Sequence, residues 1–324
     1  MRFFAAASLL TCLCVYPGCN GPGASRGTPM ITEVQRESWQ SPYATGQALT
    51  SEHYRIFSTA RSYAVRTYLP GFMEAAYANY SALTGLADLP AREPMPIYML
   101  SSRREWAALT RTVLGESSEA LNVEAGGYCH NGICVFWEIG GTGTFSVASH
   151  EGMHQFLYHR LKDRLPKWLE EGLATQAEGH RIQADSVLFT PADNPSRFSS
   201  LRSAIVNDRW VPLEDLLAME PVEAMRGGTE RAVGYYGQLW ALVQFIRSDA
   251  GYRAGMQRLL GDARDGQLHV AMNVPASALV QLKAAPQAYN RAVSVPLFKH
   301  YVSSDLAGFE NRYADFAKKL ARLQ

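Results

Sequence analysis

The chain has 324 residues, of which 47% are hydrophobic and 19% charged, and its formal net charge is +1. This length allows one large domain or two small ones, and the hydrophobic fraction is enough for a sizeable core. A net charge near zero argues against a nucleic-acid-binding protein, because such proteins usually carry a strong basic excess on one face. The composition also excludes a disordered or fibrous chain.

The N-terminus has the layout of a secretory signal. A single arginine precedes an apolar run over residues 3–15, which is too short to span a bilayer stably. The run ends in Tyr-Pro-Gly-Cys at 16–19, which resembles a bacterial lipobox, although the tyrosine and the proline depart from the usual pattern. We therefore predict an exported protein with a signal at 1–19 and a membrane anchor through a lipid on Cys19. Plain secretion is the alternative.

The first half of the chain alternates between strand and helix patterns. Residues 20–50 are rich in Gly, Ser, Thr and Pro, which favours a flexible linker. Short β-rich runs then predict strands at 53–59 and 95–100. Apolar residues at helical spacing predict helices at 60–83 and 102–114, the second with Ser101 or Ser102 as its N-cap.

A hairpin and two further helices follow. Alternating residues around an Asn-Gly turn predict a β-hairpin over 126–139. Helices are expected over 145–164 and 167–178, separated by a proline that ends or restarts a helix. Residues 181–197 read as irregular or strand, and the pattern is helical from there to the end. The chain thus predicts an α+β fold with a mixed half (51–197) and an all-helical C-terminal half (198–324).

Two cysteines flank the predicted hairpin turn. If Cys19 carries a lipid, export leaves Cys129 and Cys134 as one pair in an oxidising compartment. A disulfide across the hairpin is then expected. The alternative is a Cys/His metal site that includes His130, although only three ligands are local and four are needed.

The sequence His-Glu-Gly-Met-His at 150–154 matches the pattern H-E-x-x-H. Residues four apart on a helix lie on the same face, so His150 and His154 can bind one metal ion. Glu151 is then close enough to accept a proton from a water molecule that the metal activates. The alternative is a helix that carries two surface histidines.

Catalytic zinc usually takes three protein ligands, so a third is needed. Metzincins supply a histidine six residues after the second one, but Arg160 stands at that position. His159 lies on the opposite face of the helix and reads as a solvated residue. The sequence Pro-Lys-Trp-Leu-Glu-Glu-Gly-Leu-Ala supplies Glu170 and Glu171 instead.

H-E-x-x-H followed by W-L-x-E-G-x-A resembles the gluzincin clan of zinc metallopeptidases, which includes the aminopeptidase N family. The resemblance implies a zincin-like catalytic half in which His150, His154 and Glu171 bind Zn²⁺ and Glu151 is the general base. Glu170 points about 100° away around its helix and is expected to be a solvated neighbour.

A second, partial match concerns the oxyanion. The same aminopeptidases carry a Y-x-x-G-x-A pattern whose tyrosine stabilises the tetrahedral oxyanion, and the resemblance assigns that role to Tyr236. Leu239 replaces the family's glycine, and the alternative is that Tyr235 and Tyr236 are core aromatics. The substrate-amine motif Gly-x-Met-Glu-Asn is missing, so aminopeptidase activity is not implied. Thr175 replaces an aspartate that orients a ligand in thermolysin-like members, so another acceptor is needed.

These features predict an exported zinc metallopeptidase that acts on a peptide or protein substrate. A non-catalytic envelope binding protein and a zinc hydrolase of a non-peptide bond are the alternatives.

The hairpin edge at 126–136 could hold substrate backbone by strand addition. The basic run at 159–167 could contact an acidic partner, or be a helix end where positive charge suits the macrodipole. Substrate, endo- or exopeptidase preference and oligomeric state do not follow from the sequence.

Overall fold

A computed structural model describes residues 27–41, 43–87, 93–116, 118–122, 126–283 and 285–323. The predicted signal at 1–19 and the lipidation of Cys19 lie outside these residues. Within the described ranges, no helix has both the length and the apolar character needed to cross a membrane.

Two sheets form in the first two thirds of the chain. The strands are β1 (Thr28–Pro29), β2 (Gln35–Gln40), β3 (Thr45–Thr50), β4 (Tyr54–Ser58), β5 (Met95–Leu100), β6 (Gly127–His130), β7 (Ile133–Trp137), β8 (His180–Gln183) and β9 (Ser186–Phe189). A six-stranded sheet has the order β2-β3-β4-β5-β7-β6, and a small sheet has the order β1-β9-β8. The β4, β5 and β7 strands run parallel, whereas β6 pairs antiparallel with β7 at the sheet edge.

The first three helices pack against this larger sheet, and the later ones build the rest of the fold. They are α1 (Tyr63–Thr84), α2 (Arg103–Leu114), α3 (Gly141–Arg160), α4 (Lys167–Ala177), α5 (Pro195–Val206), α6 (Leu213–Ala218), α7 (Pro221–Arg226), α8 (Thr229–Ser248), α9 (Ala250–Asp265), α10 (Leu268–Ala271), α11 (Ala276–Lys283), α12 (Pro286–Tyr301) and α13 (Leu306–Leu320). The α+β class is confirmed, and helices are the only regular elements among the described residues from 195 onward. Buried residues of both halves form one hydrophobic cluster, so the predicted halves share a core.

The predicted linker over 20–50 is wrong in its second part. Residues 35–40 and 45–50 form the antiparallel strands β2 and β3, which are paired without a break from Gln35↔Thr50 to Gln40↔Thr45. Five of the six β2 residues are exposed, so this strand lacks the alternation of polar and apolar residues that marks a half-buried strand. Backbone pairing to β3, where Ala48 and Leu49 are buried, holds it in the sheet.

The α3 helix, which carries the H-E-x-x-H sequence, is shifted by four residues from its predicted range of 145–164. At its end, Leu161 takes an extended conformation, and the backbone N–H groups of Lys162 and Asp163 donate to the carbonyl of Ala263 in α9. This tertiary contact ends the helix, and nothing in the local sequence indicates it. By contrast, α2 begins as predicted after Ser102, whose side chain accepts a hydrogen bond from the Glu105 N–H at 3.3 Å.

The α3 helix is fixed between the sheet edge and two other helices. The buried Gln155 side chain donates to the Pro96 carbonyl at 2.8 Å and to the Gly132 carbonyl at 2.7 Å, which ties α3 to β5 and to the hairpin turn. A Cβ atom at Gly152 would lie 2.4 Å from the Tyr80 hydroxyl oxygen in α1. The glycine inside the H-E-x-x-H sequence thus allows α1 and α3 to pack closely.

Gly172 has a similar role between α4 and α8. A Cβ atom there would lie 2.4 Å from Cγ2 of Val243, a stiff β-branched side chain. We expect Gly172→Ala to lower the free energy of unfolding by about 1–3 kcal/mol, because the two helices must separate. A Cβ atom at Gly261 in α9, by contrast, would have no other atom within 4 Å. Gly261→Ala should therefore raise the free energy of unfolding by about 0.5–1 kcal/mol, because alanine favours a helix more than glycine does. Urea unfolding of both variants tests this, and equal effects would contradict it.

Candidate metal centre

Three predicted ligands converge on one point. His150 and His154 lie one turn apart on α3, and Glu171 lies on α4. The two Nε2 atoms are 3.2 Å apart, and Oε2 of Glu171 lies 3.4 Å from His150 Nε2 and 3.5 Å from His154 Nε2. The structure therefore brings together the ligand set that the sequence resemblance implies.

The spacing of these atoms fits a tetrahedral metal ion. Zinc–ligand distances of about 2.0–2.1 Å place tetrahedral ligand atoms roughly 3.3 Å apart, close to the observed triangle. Oε2 of Glu171 is buried and has no hydrogen-bond partner among the described residues. A buried carboxylate oxygen left in this state is costly, and a cation at the centre of the triangle would satisfy it. The residues present thus fit zinc.

Carboxylates hold both imidazoles on their outer sides. His150 Nδ1 lies 2.8 Å from Oε1 of Glu178, and His154 Nδ1 lies 3.0 Å from Oε1 of Glu170. A proton on each Nδ1 donates to its carboxylate and leaves the Nε2 lone pair directed at the centre. This carboxylate–histidine arrangement is the usual support of a zinc-binding histidine.

These contacts supply the missing acceptor and correct one prediction. Glu178 lies seven residues after Glu171 and so on the same helical face, a spacing that could have indicated it in the sequence. Glu170 was expected to be a solvated neighbour, but its side chain is only 22% exposed and contacts His154. The prediction was wrong because it used only the angular position of Glu170 around α4. It did not include α3, whose His154 contacts the Glu170 side chain.

Two cations fix the supporting carboxylates. Arg197 of α5 donates to Glu178 through Nε at 2.7 Å and Nη2 at 2.6 Å, and Asn194 adds a bond of 3.1 Å. Lys167 Nζ donates to Glu170 at 2.8 Å. The sequence analysis identified neither Lys167 nor Arg197 as part of the site. Arg197 could not be found from the sequence around the ligands, because it lies on a separate helix, α5.

When both imidazoles are neutral, as metal binding requires, the centre carries an excess of negative charge. Four carboxylates (Glu151, Glu170, Glu171 and Glu178) lie around the imidazoles, against the two cations Lys167 and Arg197. Burial disfavours a charged His150, yet Glu171 and Glu178 raise its pKa to about 9. Burial opposes the charge on Glu178 too, but Arg197 and His150 lower its pKa to about 2. The surroundings favour a divalent cation.

Glu151 and Tyr236 border the same centre. Glu151 is 8% exposed on α3, and burial raises the pKa of its carboxyl group. The Tyr236 ring of α8 packs against the His150 ring with its centroid 6.1 Å away, and the Arg197 guanidinium lies 5.1 Å above the tyrosine ring. Burial and Glu171 raise the Tyr236 pKa well above its ordinary value, so the phenol keeps its proton.

The predicted disulfide between Cys129 and Cys134 is not formed in this structure. The two residues lie directly opposite each other on β6 and β7, but both are free thiols. Cys134 Sγ donates to the Glu151 carbonyl at 3.2 Å, and burial raises its pKa, which disfavours the thiolate needed for exchange. The alternative Cys/His metal site around His130 is also not found among the described residues.

A second group of potential ligands has a different character. Glu52, His53 and Glu74 lie close together near the start of β4. Glu74 accepts from the Ser51 hydroxyl at 2.6 Å and from the His53 N–H at 2.9 Å, and its other oxygen lies 2.6 Å from His53 Nδ1. Its oxygens are thus satisfied by the protein, unlike Oε2 of Glu171, so this group is a structural cluster.

No protein-family model matches this chain, and no curated protein matches it either. The resemblance to gluzincins therefore rests on the residues of the motifs and on the geometry that brings them together.

Glu178 should control metal affinity through His150. Glu178→Gln keeps the shape of the side chain but removes the charge that polarises the imidazole and pairs with Arg197. We expect zinc to bind about 10- to 100-fold more weakly in this variant. Competition with a fluorescent zinc chelator measures the change. Glu116→Gln, at an exposed site on the surface, is the matched control, and equal affinities in the two variants would contradict the assignment.

The metal-free protein should lose stability as the pH rises. The His150 pKa is about 9 in the folded protein, above its ordinary 6.5. Its protonation therefore contributes stability that is fully present below about pH 6.5 and is lost as the pH rises through about 9. Thermal unfolding in chelator should give a lower Tm at pH 9.5 than at pH 6.5. A His150→Gln variant with the same pH slope as the parent would contradict this.

Proposed function

We propose that this protein is a zinc-dependent metallopeptidase of the gluzincin type. The observation that carries the proposal is the triangle of His150 Nε2, His154 Nε2 and Glu171 Oε2, with each imidazole held by a carboxylate on its other nitrogen. A structural zinc site would close all four positions with protein ligands, whereas three ligands leave one position for chemistry.

The mechanism follows from the groups around the triangle. Zinc bound there would polarise a substrate carbonyl and make a water molecule acidic enough to react near neutral pH. Glu151 accepts the proton from the attacking water and delivers it to the leaving amine, and its raised pKa suits both steps. Tyr236 keeps its proton and donates a hydrogen bond to the oxyanion that develops on the carbonyl.

The β6 strand offers a way to hold the substrate backbone. It lies at the edge of the six-stranded sheet and pairs on one side with β7. The hairpin turn lies against α3, where the Gly132 carbonyl accepts from Gln155. An extended peptide that adds to this edge would form backbone hydrogen bonds with the side of β6 that faces away from β7.

We also propose export and a lipid anchor on Cys19, which the sequence of residues 1–19 alone supports.

The test is cleavage of a mixed peptide library by the zinc-loaded protein. We expect peptide fragments to appear, to disappear after treatment with a zinc chelator, and to return when zinc is restored. Mass spectrometry of the fragments would give the cleaved bond and would separate endopeptidase from exopeptidase action. A protein that binds zinc but cleaves no peptide would contradict the proposal and favour a binding protein or a hydrolase of another bond.

A further inference from the structure

The Tyr236 side chain is placed by contacts of its ring. The ring centroid lies 6.1 Å from that of His150 and 5.2 Å from that of Tyr235, and the guanidinium carbon of Arg197 lies 5.1 Å from it. Within the part of the chain that the structure describes, the Tyr236 hydroxyl makes no hydrogen bond. The position of the hydroxyl therefore depends on the groups that pack against the ring.

Arg197 contacts this ring and a support of the metal ligands at the same time. Its Nε and Nη2 donate to the two carboxylate oxygens of Glu178 at 2.7 and 2.6 Å. Glu178 in turn lies 2.8 Å from Nδ1 of His150. The distance from the guanidinium to the Tyr236 ring lies within the range of about 6 Å over which a cation–π contact is attractive. One planar group therefore connects the tyrosine with a ligand of the triangle.

Arg197 is itself held in place. The Asn194 side chain, at the N-cap of α5, accepts from the Arg197 N–H at 3.2 Å and donates to Glu178 at 3.1 Å. Gly237 follows Tyr236 in α8, and a Cβ atom there would lie 2.7 Å from a backbone nitrogen of α5. The two helices thus pack closely beside the tyrosine, which fixes the guanidinium relative to the ring.

The other supporting cation has no such connection. Lys167 Nζ donates to Glu170, which supports the second histidine, at 2.8 Å and lies 4.0 Å from Oε1 of Glu171. Among the described residues, this ammonium group makes no cation–π contact. Lys167 therefore acts on the metal ligands alone, whereas Arg197 also contacts the ring of the proposed oxyanion donor.

We propose that Arg197 is a positioning residue that holds the Tyr236 ring in one orientation and couples this orientation to His150 through Glu178. The inference rests on the proposed function for the role of Tyr236 in the reaction, but the contacts that hold the ring are independent of it. Lysine at position 197 would keep a positive charge beside Glu178. It lacks the planar group that makes two hydrogen bonds to the carboxylate and also covers the ring.

Arg197→Lys should therefore separate kcat from zinc affinity. We expect kcat at saturating zinc to fall about 10-fold with KM unchanged, because a misplaced group costs rate rather than substrate binding. Zinc affinity should stay within about 3-fold of the parent, because Glu178 keeps a cation. Arg202→Lys is the control: Arg202 lies on the same helix and donates to the Ala321 carbonyl at 2.9 Å, away from the centre. Equal kcat in the two variants would overturn the inference.

A double-mutant cycle identifies the group through which Arg197 acts. In a Tyr236→Phe background the hydroxyl is gone, so Arg197→Lys should lower kcat by less than about 2-fold. In a Lys167→Gln background the loss of about 10-fold should persist, because Lys167 does not contact the tyrosine ring. A full loss in the Tyr236→Phe background would mean that Arg197 acts independently of Tyr236 and would overturn the inference.

A measurement without hydrolysis separates this inference from the metallopeptidase proposal. A ring-fluorinated tyrosine at position 236 reports ring rotation by fluorine NMR, because the two flipped orientations of a held ring give separate signals. We expect separate signals in the parent and in Arg202→Lys, and one averaged signal in Arg197→Gln. That result supports the positioning role even if no peptide is cleaved and the proposed function fails. A ring that rotates equally fast in all three proteins would overturn the inference.

Discussion

Glu151→Gln should leave zinc bound and lower kcat by about 10²- to 10⁴-fold, the usual contribution of a general base. Glu151 is not a member of the ligand triangle, so the substitution leaves all three ligand atoms in place. Glutamine has nearly the same shape but cannot accept the proton of the attacking water. The result would be a zinc-loaded protein with the parent's fold and almost no peptide cleavage.

The measurement needs both zinc content and kinetics on the same preparations. One zinc per chain in parent and variant, with cleavage lost in the variant, assigns the proton transfer to Glu151. If the variant cleaves at the parent's rate, Glu151 is not the base. If it loses zinc, the residue supports the metal centre and the kinetic loss says nothing about proton transfer.

Tyr236→Phe should lower kcat by about 10²- to 10³-fold, because in the proposed mechanism it removes one donor to the oxyanion. The ring that packs against His150 and under Arg197 is retained, so the metal centre should keep its shape. The effect is expected in kcat rather than KM, since the hydrogen bond strengthens only as charge develops on the carbonyl oxygen.

Tyr235→Phe is the matched control. Tyr235 is the preceding residue of α8, is fully buried, and its hydroxyl lies 3.4 Å from the Met219 carbonyl. Its loss should reduce stability slightly and leave kcat near the parent value. Equal kinetic losses in the two variants would mean that Tyr236 acts as a core aromatic, which is the alternative that the sequence leaves open.

The ligand triangle could be predicted because its signals are local. His150 and His154 are four residues apart on one helix, so helical geometry alone places them on one face. Glu171 needed the resemblance to W-L-x-E-G-x-A, because no periodic rule connects α3 with α4. The supporting residues could not be found in the same way. Arg197 reaches Glu178 from a separate helix, and only the packing of that helix brings them together.

The elements of the fold also divide into those that the local sequence predicts and those that depend on contacts between distant segments. The strand at 95–100 is found where a short β-rich run predicts it, since its buried residues mark it clearly. The β2 strand was missed because most of its residues are exposed and only its pairing with β3 identifies it. The end of α3 was misplaced because the Ala263 carbonyl, about a hundred residues away in the chain, accepts the N–H groups of Lys162 and Asp163.

Metal content is the most direct test of the central claim that His150, His154 and Glu171 form a zinc site. We would measure bound zinc by inductively coupled plasma mass spectrometry in the parent, in Glu171→Ala and in Glu52→Gln, which alters the structural cluster of Glu52, His53 and Glu74. The account predicts one zinc per chain in the parent and in Glu52→Gln, and none in Glu171→Ala. Folded parent protein that binds no zinc, or a Glu171→Ala variant that keeps it, would contradict the account.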